Sequence, residues 1–504
     1  MPYSTIPAPV TPEEKLYQLI ISRLNGADLA TEEYRERLEA LVAKGIGGFI
    51  IFGGEREEVT ELVRKLQSRA RIPLFIASDV ERGVEQQIRG ATPFPCPMAM
   101  AAAVRRERQD EVILLEDALR AFAAEAHEVG ITMPLIPVMD VNRNPDNPII
   151  CTRAFSDSPD VVSWFGARYI RALEASGLLS CAKHFPGHGD TATDSHIELP
   201  VIGKRYEELR DTDVAPFVEA IRAGAGSIMV GHLAIPALDT RPASLSRRIV
   251  TELLREQLGF EGLVLTDALN MSALRDFGDV PVECLTAGAD ILLHPHDADS
   301  TVPDLARAIE AGRLPEETVN KAVDRIIASK ERYAAKSSYG SVVDSEKSKA
   351  LSRELTERSI TLVKGTPGCL PLSAGDRECL ILGGDKFYDI APLRAYFETV
   401  APLSSDYPPR RERVIIALFT SVTAWKGTSG IEERERHYLS ELIKGARKSI
   451  VISFGSPYVL RYFDEADILI AAYEGTRQAQ SAVVTCLTGE AVFRGELPVA
   501  LYPG

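Results

Sequence analysis

The sequence predicts an α/β protein, an N-terminal (β/α)8 TIM-type barrel followed by a smaller α/β sandwich domain. Three observations carry that expectation. Short β-rich runs alternate with longer amphipathic stretches over about the first 330 of 504 residues, which implies parallel strands joined by helices. No glycine-rich phosphate turn of the GxGxxG or Walker type follows any of those runs, which argues for a closed barrel over an open doubly wound sheet. A small, polar passage around 334–341 then separates this region from a second set of buried strand patterns. The expected domains are therefore 1–335, a linker at 336–350, and 351–504.

The barrel strands are expected at 47–52, 73–78, 132–139, 178–182, 227–230, 262–266 and 291–293. Apolar, β-branched residues dominate each run, as strands buried on both faces require. Helical periodicity fills the gaps at 57–70, 111–129, 161–175, 205–223 and 246–257. One unit of the barrel is left irregular by this reading. In the second domain, 378–383, 413–419, 449–454 and 467–472 read as buried strands, with helices at 433–444 and 476–487.

A polar residue follows nearly every barrel strand: Asp79, Asp140, Lys183 with His184, His232, Asp267 and His294. Barrel enzymes build their active sites at that end of the sheet. For Asp79 or Asp140 alone, a helix cap or a solvated loop charge explains as much. The recurrence across strands favours a site. Six of the eight histidines also lie between positions 184 and 296, a clustering that points to proton-handling chemistry.

The net charge of −15 speaks against nucleic acid or an anionic membrane as partner. Seven cysteines, an odd number without CxxC spacing, suit a reducing compartment and offer no disulfide framework. The first residues lack the charged and apolar regions of a signal peptide, and no window is long and apolar enough to span a bilayer. A cytoplasmic location is expected.

The stretch Lys183-His184-Phe185-Pro186-Gly187-His188-Gly189-Asp190, followed by Asp194-Ser195-His196, is the richest in chemistry. Asp194 and His196 are one residue apart, so in an extended loop the carboxylate can orient the imidazole and hold its charge. By itself such a tripeptide is more often an ordinary polar turn. Asp267, alone at the mouth of the apolar run 263–266, suits a rigidly held nucleophile, with a helix cap as the plain alternative. A metal site at His184 and His188 is disfavoured because Pro186 and Gly187 break any helix that would present both to one ion; no metal and no cofactor are expected.

These motifs, together with Asp140-Val141-Asn142-Arg143-Asn144-Pro145, Arg153-Ala154-Phe155-Ser156 and Thr266-Asp267-Ala268-Leu269-Asn270-Met271, resemble glycoside hydrolase family 3 in its bacterial β-N-acetylglucosaminidase branch. Ser453-Phe454-Gly455-Ser456-Pro457-Tyr458 and Ala471-Ala472-Tyr473 resemble the second domain of its longer members. The resemblance implies a retaining, exo-acting hydrolase that removes terminal β-linked N-acetylglucosamine from cell-wall muropeptides or chitin fragments. It implies Asp267 as nucleophile, His196 as acid/base supported by Asp194, and Asp79, Arg153, Lys183 and His184 as residues that hold the sugar. The family's Asp-Gln-Glu-Gly-Gly-Arg-Val-Gln-Arg is here Asp79-Val80-Glu81-Arg82-Gly83-Val84-Glu85-Gln86-Gln87, with Arg82 or Arg89 as candidates to replace the final arginine.

Retaining hydrolysis needs a nucleophile and a second group that first donates and then accepts a proton. An imidazole in the second role is neutral once it has donated its proton, so it does not repel an anionic acceptor, and phosphate stands beside water as a candidate. Two other functions remain open at this point: a β-glucosidase or β-xylosidase taking its acid from Glu474, and a non-catalytic sugar-binding protein, which would have no use for both Asp267 and the His196 pair.

Overall fold

The structure is a computed structural model that describes residues 7, 9, 11–333, 343, 345–366, 369–373, 375, 379–385, 388–403, 411–423 and 425–502. The chain falls into two compact units: residues 1–93, 116–141 and 162–349 form the first, and 94–115, 142–161 and 350–504 the second. Most of the expected linker, at 336–342 and 344, lies outside the described residues, and a helix, Ser345–Ser359, takes up the last part of the span expected to be linker.

The first unit is built on eight parallel strands. They are β1 (Ile20–Asn25), β2 (Gly48–Phe52), β3 (Phe75–Ser78), β4 (Met133–Pro134), β5 (Cys181–Phe185), β6 (Ser227–Val230), β7 (Leu263–Thr266) and β8 (Leu292–Leu293). One ladder runs β4-β3-β2-β1-β8 and another β5-β6-β7. Parallel bridges between Val138 and Lys183 and between Leu265 and Ile291 join the two ladders at both edges, which closes the barrel. Closure leaves no free edge, and the strand faces are filled by residues such as Ile50, Ile76, Val264 and Leu292, all almost fully buried.

Four expectations need correcting. The sequence reading had no strand at Ile20–Asn25, because its apolar run follows directly on the amphipathic helix Pro12–Gln18; this is the unit left irregular. The expected strand 132–139 is regular only at Met133–Pro134, since Pro134 and Pro137 have no N–H to give to a ladder. Scattered bonds continue its path, among them Leu135 N–H to Ser78 O at 3.0 Å and Met139 N–H to Lys183 O at 2.6 Å. The expected strand 178–182 is displaced to Cys181–Phe185, so Lys183 and His184 lie within β5 and not behind it. The single helix expected at 205–223 is Tyr206–Leu209 and Ala215–Arg222 with a wider π turn, Arg210–Val214, between them, just before Pro216.

The second unit has a six-stranded sheet: β9 (Thr361–Lys364), β10 (Cys379–Gly384), β11 (Thr399–Pro402), β12 (Arg411–Phe419), β13 (Ala446–Phe454) and β14 (Ile468–Ala471). Their order is β11-β10-β12-β13-β14-β9, parallel except for β9. Glu378, included in the expected strand 378–383, lies outside the described residues. Alternation along β12 explains the layering: Val414, Ile416 and Leu418 enter one core, Ile415, Ala417 and Phe419 the other. The first of these cores also holds Cys96, Met98, Ala99, Ala102 and Cys151, which is why 94–115 and 142–161 belong with this unit. Apolar residues from remote sequence positions were needed to cover that face of the sheet.

Candidate active site

All the residues of the His-rich loop and the strand ends just described belong to the first unit. β5 supplies Lys183 and His184. Lys183 is almost fully buried, and its ammonium lies 2.6 Å from Asp79 and 2.8 Å from Glu81, both on the segment after β3. A buried lysine requires such partners, since an unpaired charge there would be prohibitively costly. His184 shares Asp140 with the loop: Nδ1–H donates to Oδ2 at 2.7 Å, while the backbone N–H groups of His184 and His188 donate to Oδ1 at 3.2 and 2.7 Å. An ionised carboxylate only accepts, so Nδ1 of His184 carries the proton.

The loop after β5 is drawn tightly over the barrel. A side chain at Gly189 would meet the Val141 carbonyl oxygen at 2.0 Å, so this close approach of two backbones requires glycine. His188 is buried between two hydroxyls, Thr191 Oγ1 at 2.8 Å from Nδ1 and Ser195 Oγ at 3.1 Å from Nε2. Burial pushes its pKa down to about 4, so it is a neutral structural ring at physiological pH. The rings of His184 and His188 lie edge to face at 5.9 Å, each turned to its own partner. Among the described residues, no group of three or more His, Cys, Asp or Glu side chains could hold a metal ion.

Asp194 and His196 form a closed pair. The backbone N–H of His196 donates to Asp194 Oδ1 at 2.9 Å, and its ring Nδ1–H donates to the same oxygen at 2.8 Å. The Asp194 carboxylate is fully buried and the His196 ring keeps 25% of its surface exposed. A ring held at Nδ1 by a carboxylate exchanges protons through Nε2.

Asp267 follows β7, its backbone N–H bonded to Val230 O at 2.9 Å and its Oδ1 accepting from the Ala268 N–H at 2.7 Å. Burial alone would raise its pKa. The nearby His184 and His232 rings, the Ala268 N–H and His196 outweigh that and bring it down to about 2. His232 is itself anchored, with Nε2 3.2 Å from the Ala268 carbonyl and Nδ1 2.8 Å from Ser244 Oγ, and burial lowers its pKa. A carbonyl only accepts, so Nε2 carries a proton and donates to it.

Of the expected site residues, Asp79 pairs with Lys183, His184 and His196 bear electrostatically on Asp267, and Asp194 holds His196. Arg153 lies in the second unit, on the turn Cys151–Arg153, where its guanidinium donates to Ile149 O at 3.0 Å. Glu474 is also in the second unit, buried, just after Tyr473 in a left-handed conformation. Glu81 was missed as a partner of Lys183. Its signal was available, an acidic residue two positions beyond Asp79. Gln87 Oε1 accepts from Gly53 N–H at 3.3 Å, whereas Arg89 is exposed and bonded through Nε to Glu55 at 2.6 Å. Arg82 is exposed as well.

A closed eightfold barrel with an ionised carboxylate, a carboxylate-held imidazole and a buried lysine cluster near its strand ends defines an acid–base enzyme of the barrel class. The model of the glycosyl hydrolase family 3 N-terminal domain matches residues 11–329, and the chain belongs to that family. It is 34% identical over 376 residues to β-hexosaminidase A of Pseudoalteromonas piscicida, a match that spans 67% of this chain and 62% of that protein. It is 27% identical over 519 residues to a β-N-acetylglucosaminidase/β-glucosidase of Cellulomonas fimi, covering 91% and 89% of the two chains. Among solved structures, a family 3 β-N-acetylglucosaminidase from Paenibacillus sp. matches with a TM-score of 0.83 and 27% identity over 98% of this chain and 99% of that one. A β-glucoside phosphorylase at 23% identity, TM-score 0.87 over 98% and 95%, shares the fold.

Proposed function

We propose that the chain is a retaining, exo-acting β-N-acetylglucosaminidase acting on terminal β-linked N-acetylglucosamine of muropeptide or chitin-derived oligosaccharides. The observation that carries this reading is the doubly bonded Asp194–His196 pair in the same unit as an Asp267 held ionised. The names of the Pseudoalteromonas, Cellulomonas and Paenibacillus proteins support the choice of sugar.

In the first step Asp267 attacks the anomeric carbon while protonated His196 gives its Nε2 proton to the departing oxygen, leaving a glycosyl-aspartate and a neutral imidazole. In the second, His196 takes a proton from water, whose oxygen attacks the same carbon and releases Asp267. Asp194 stabilises the imidazolium in the resting and final states. Asp79, Lys183 and His184 hold the sugar hydroxyls and the acetamido group. Five of the seven cysteines are buried, and a reducing cytoplasmic setting is part of this proposal. Among the described residues, no helix is long and apolar enough to cross a membrane.

Aryl β-glycosides of N-acetylglucosamine, glucose and xylose, assayed side by side, test the proposal. N-acetylglucosaminide should be turned over with the highest kcat/KM. A clear preference for glucoside or xyloside would replace this reading with the Glu474-dependent one.

A further inference from the structure

The second unit contains a cavity of about 200 Å³ that no part of the proposed mechanism uses. Two arginines define its chemistry. Arg436 comes from the first turn of the helix Glu433–Lys444 and Arg461 from the helical turn Pro457–Tyr462. Their guanidinium groups both lie against the Tyr462 ring, at 4.3 and 4.7 Å from its centroid. Stacking on an aromatic face is a common way to hold a guanidinium while leaving its N–H fork available.

The charges in this cavity are only partly balanced. Arg461 Nη2 donates to Asp146 Oδ1 at 2.5 Å and to the Tyr462 hydroxyl at 2.7 Å. Asp146 is largely exposed, with 71% of its side chain in solvent. Glu435, beside Arg436 in the helix, is engaged elsewhere, with Oε1 accepting from the Gly384 N–H at 2.6 Å. Arg461 Nη1 and Arg436 Nε are buried without a hydrogen-bond partner among the described residues. Buried donors are ordinarily satisfied, and an orphaned pair on two neighbouring cations marks a place where an acceptor belongs.

The remaining lining suits an oxyanion. Thr428 and Ser456 bring hydroxyls, Ser429 Oγ is engaged with Asn147 O at 2.9 Å, and Gly430 brings backbone without a side chain to fill the space. The volume is below the ~300–1,000 Å³ of pockets for drug-sized ligands, which selects a small occupant. Planar forks facing tetrahedral oxygens are the usual recognition of phosphoryl groups.

We propose that the Arg436–Tyr462–Arg461 stack is a binding site for a small phosphate-class oxyanion, either free phosphate or the phosphoryl group of a small sugar phosphate. The site is distinct in its residues from the Asp267–His196 centre, and its occupancy does not depend on that centre's chemistry.

Isothermal titration of the full-length chain with inorganic phosphate and, separately, glucose 6-phosphate tests this. One saturable site is expected, weakened about tenfold or more in Arg436→Gln and in Arg461→Gln and unchanged in His196→Ala. Binding of phosphate but not the ester would identify free phosphate as the ligand, and tighter binding of the ester a phosphorylated sugar. Arg436→Lys keeps a charge but loses the fork. It should also weaken binding, and it decides the matter if a glutamine variant does not fold. Absence of binding of both ligands at ~10 mM, binding abolished by His196→Ala, or binding indifferent to the arginine substitutions would overturn the proposal.

Discussion

Asp194 grips His196 at two points through one oxygen, Oδ1, which takes both the backbone N–H and the ring Nδ1–H of a residue only two positions away. The ring cannot turn over without losing a bond from a buried carboxylate. Its orientation and its Nδ1 tautomer are thereby set before any substrate arrives.

If His196 is the acid, His196→Ala should slow glycosides with poor leaving groups by roughly 10²–10⁴-fold and activated aryl glycosides far less. Asp194→Ala should show the same pattern more mildly, and Glu474→Ala should leave the ratio between the substrates unchanged. Steady-state kinetics across a series of phenols of increasing pKa reads this directly. A leaving-group dependence that follows Glu474 in place of His196 would reassign the acid.

Asp267→Asn should reduce kcat by roughly 10⁴-fold and lower the melting temperature modestly at neutral pH, because the fold is kept while the carboxylate's favourable interactions with its neighbours are lost. A 2-fluoro glycoside should label Asp267 in the wild-type chain. Peptide mapping that recovers the label on another residue would remove it from the nucleophile's role.

The pH dependence separates the two kinds of group. Asp267 titrates at about 2, below the ordinary carboxylate value, so it is ionised throughout the working range and sets no limb of the rate profile. Its contribution to stability is present above the unfolded value near 4 and is lost as pH falls through about 2. His188 has the opposite charge type. Its folded value of about 4 lies below the ordinary ~6.5, so the unfolded chain takes up a proton first and stability declines as pH falls from ~6.5 to about 4. That loss amounts to ~3 kcal/mol for this one ring. His188→Gln should flatten the urea-unfolding free energy across this window, and an unchanged slope would show that other groups govern it.

On the proposed mechanism the first step leaves a neutral imidazole at the acceptor site. A carboxylate there would repel dianionic phosphate across a short, partly desolvated gap, and an imidazole does not. Millimolar phosphate added during hydrolysis of an aryl N-acetylglucosaminide should therefore yield some sugar 1-phosphate of retained configuration, with free sugar as the main product. Mass spectrometry of the products measures the split. Free sugar alone at saturating phosphate would confine His196 to hydrolysis.

Much of this was legible in the chain itself. The strand–helix alternation is a local pattern, so five of the seven expected barrel strands coincide closely with observed ones, from 47–52 to Gly48–Phe52 through 291–293 to Leu292–Leu293. The spacing of Asp194 and His196 allowed the pair but favoured an ordinary polar turn, and the family resemblance singled it out. What the sequence did not carry were contacts between distant positions. β1 was hidden because a buried run after an amphipathic helix looks like more helix, and only pairing to β2 and β8 makes it a strand. The passage of 94–115 and 142–161 into the second unit depends on Met98 and Cys151 finding the face of β12 more than 250 residues away. The ionised state of Asp267 was likewise undecided until folding set His184, His232 and the Ala268 N–H around it. Residue type and local period determine which groups are available and what element each occupies, whereas burial and through-space fields, which fix protonation and partnership, arise only when remote segments close on one another.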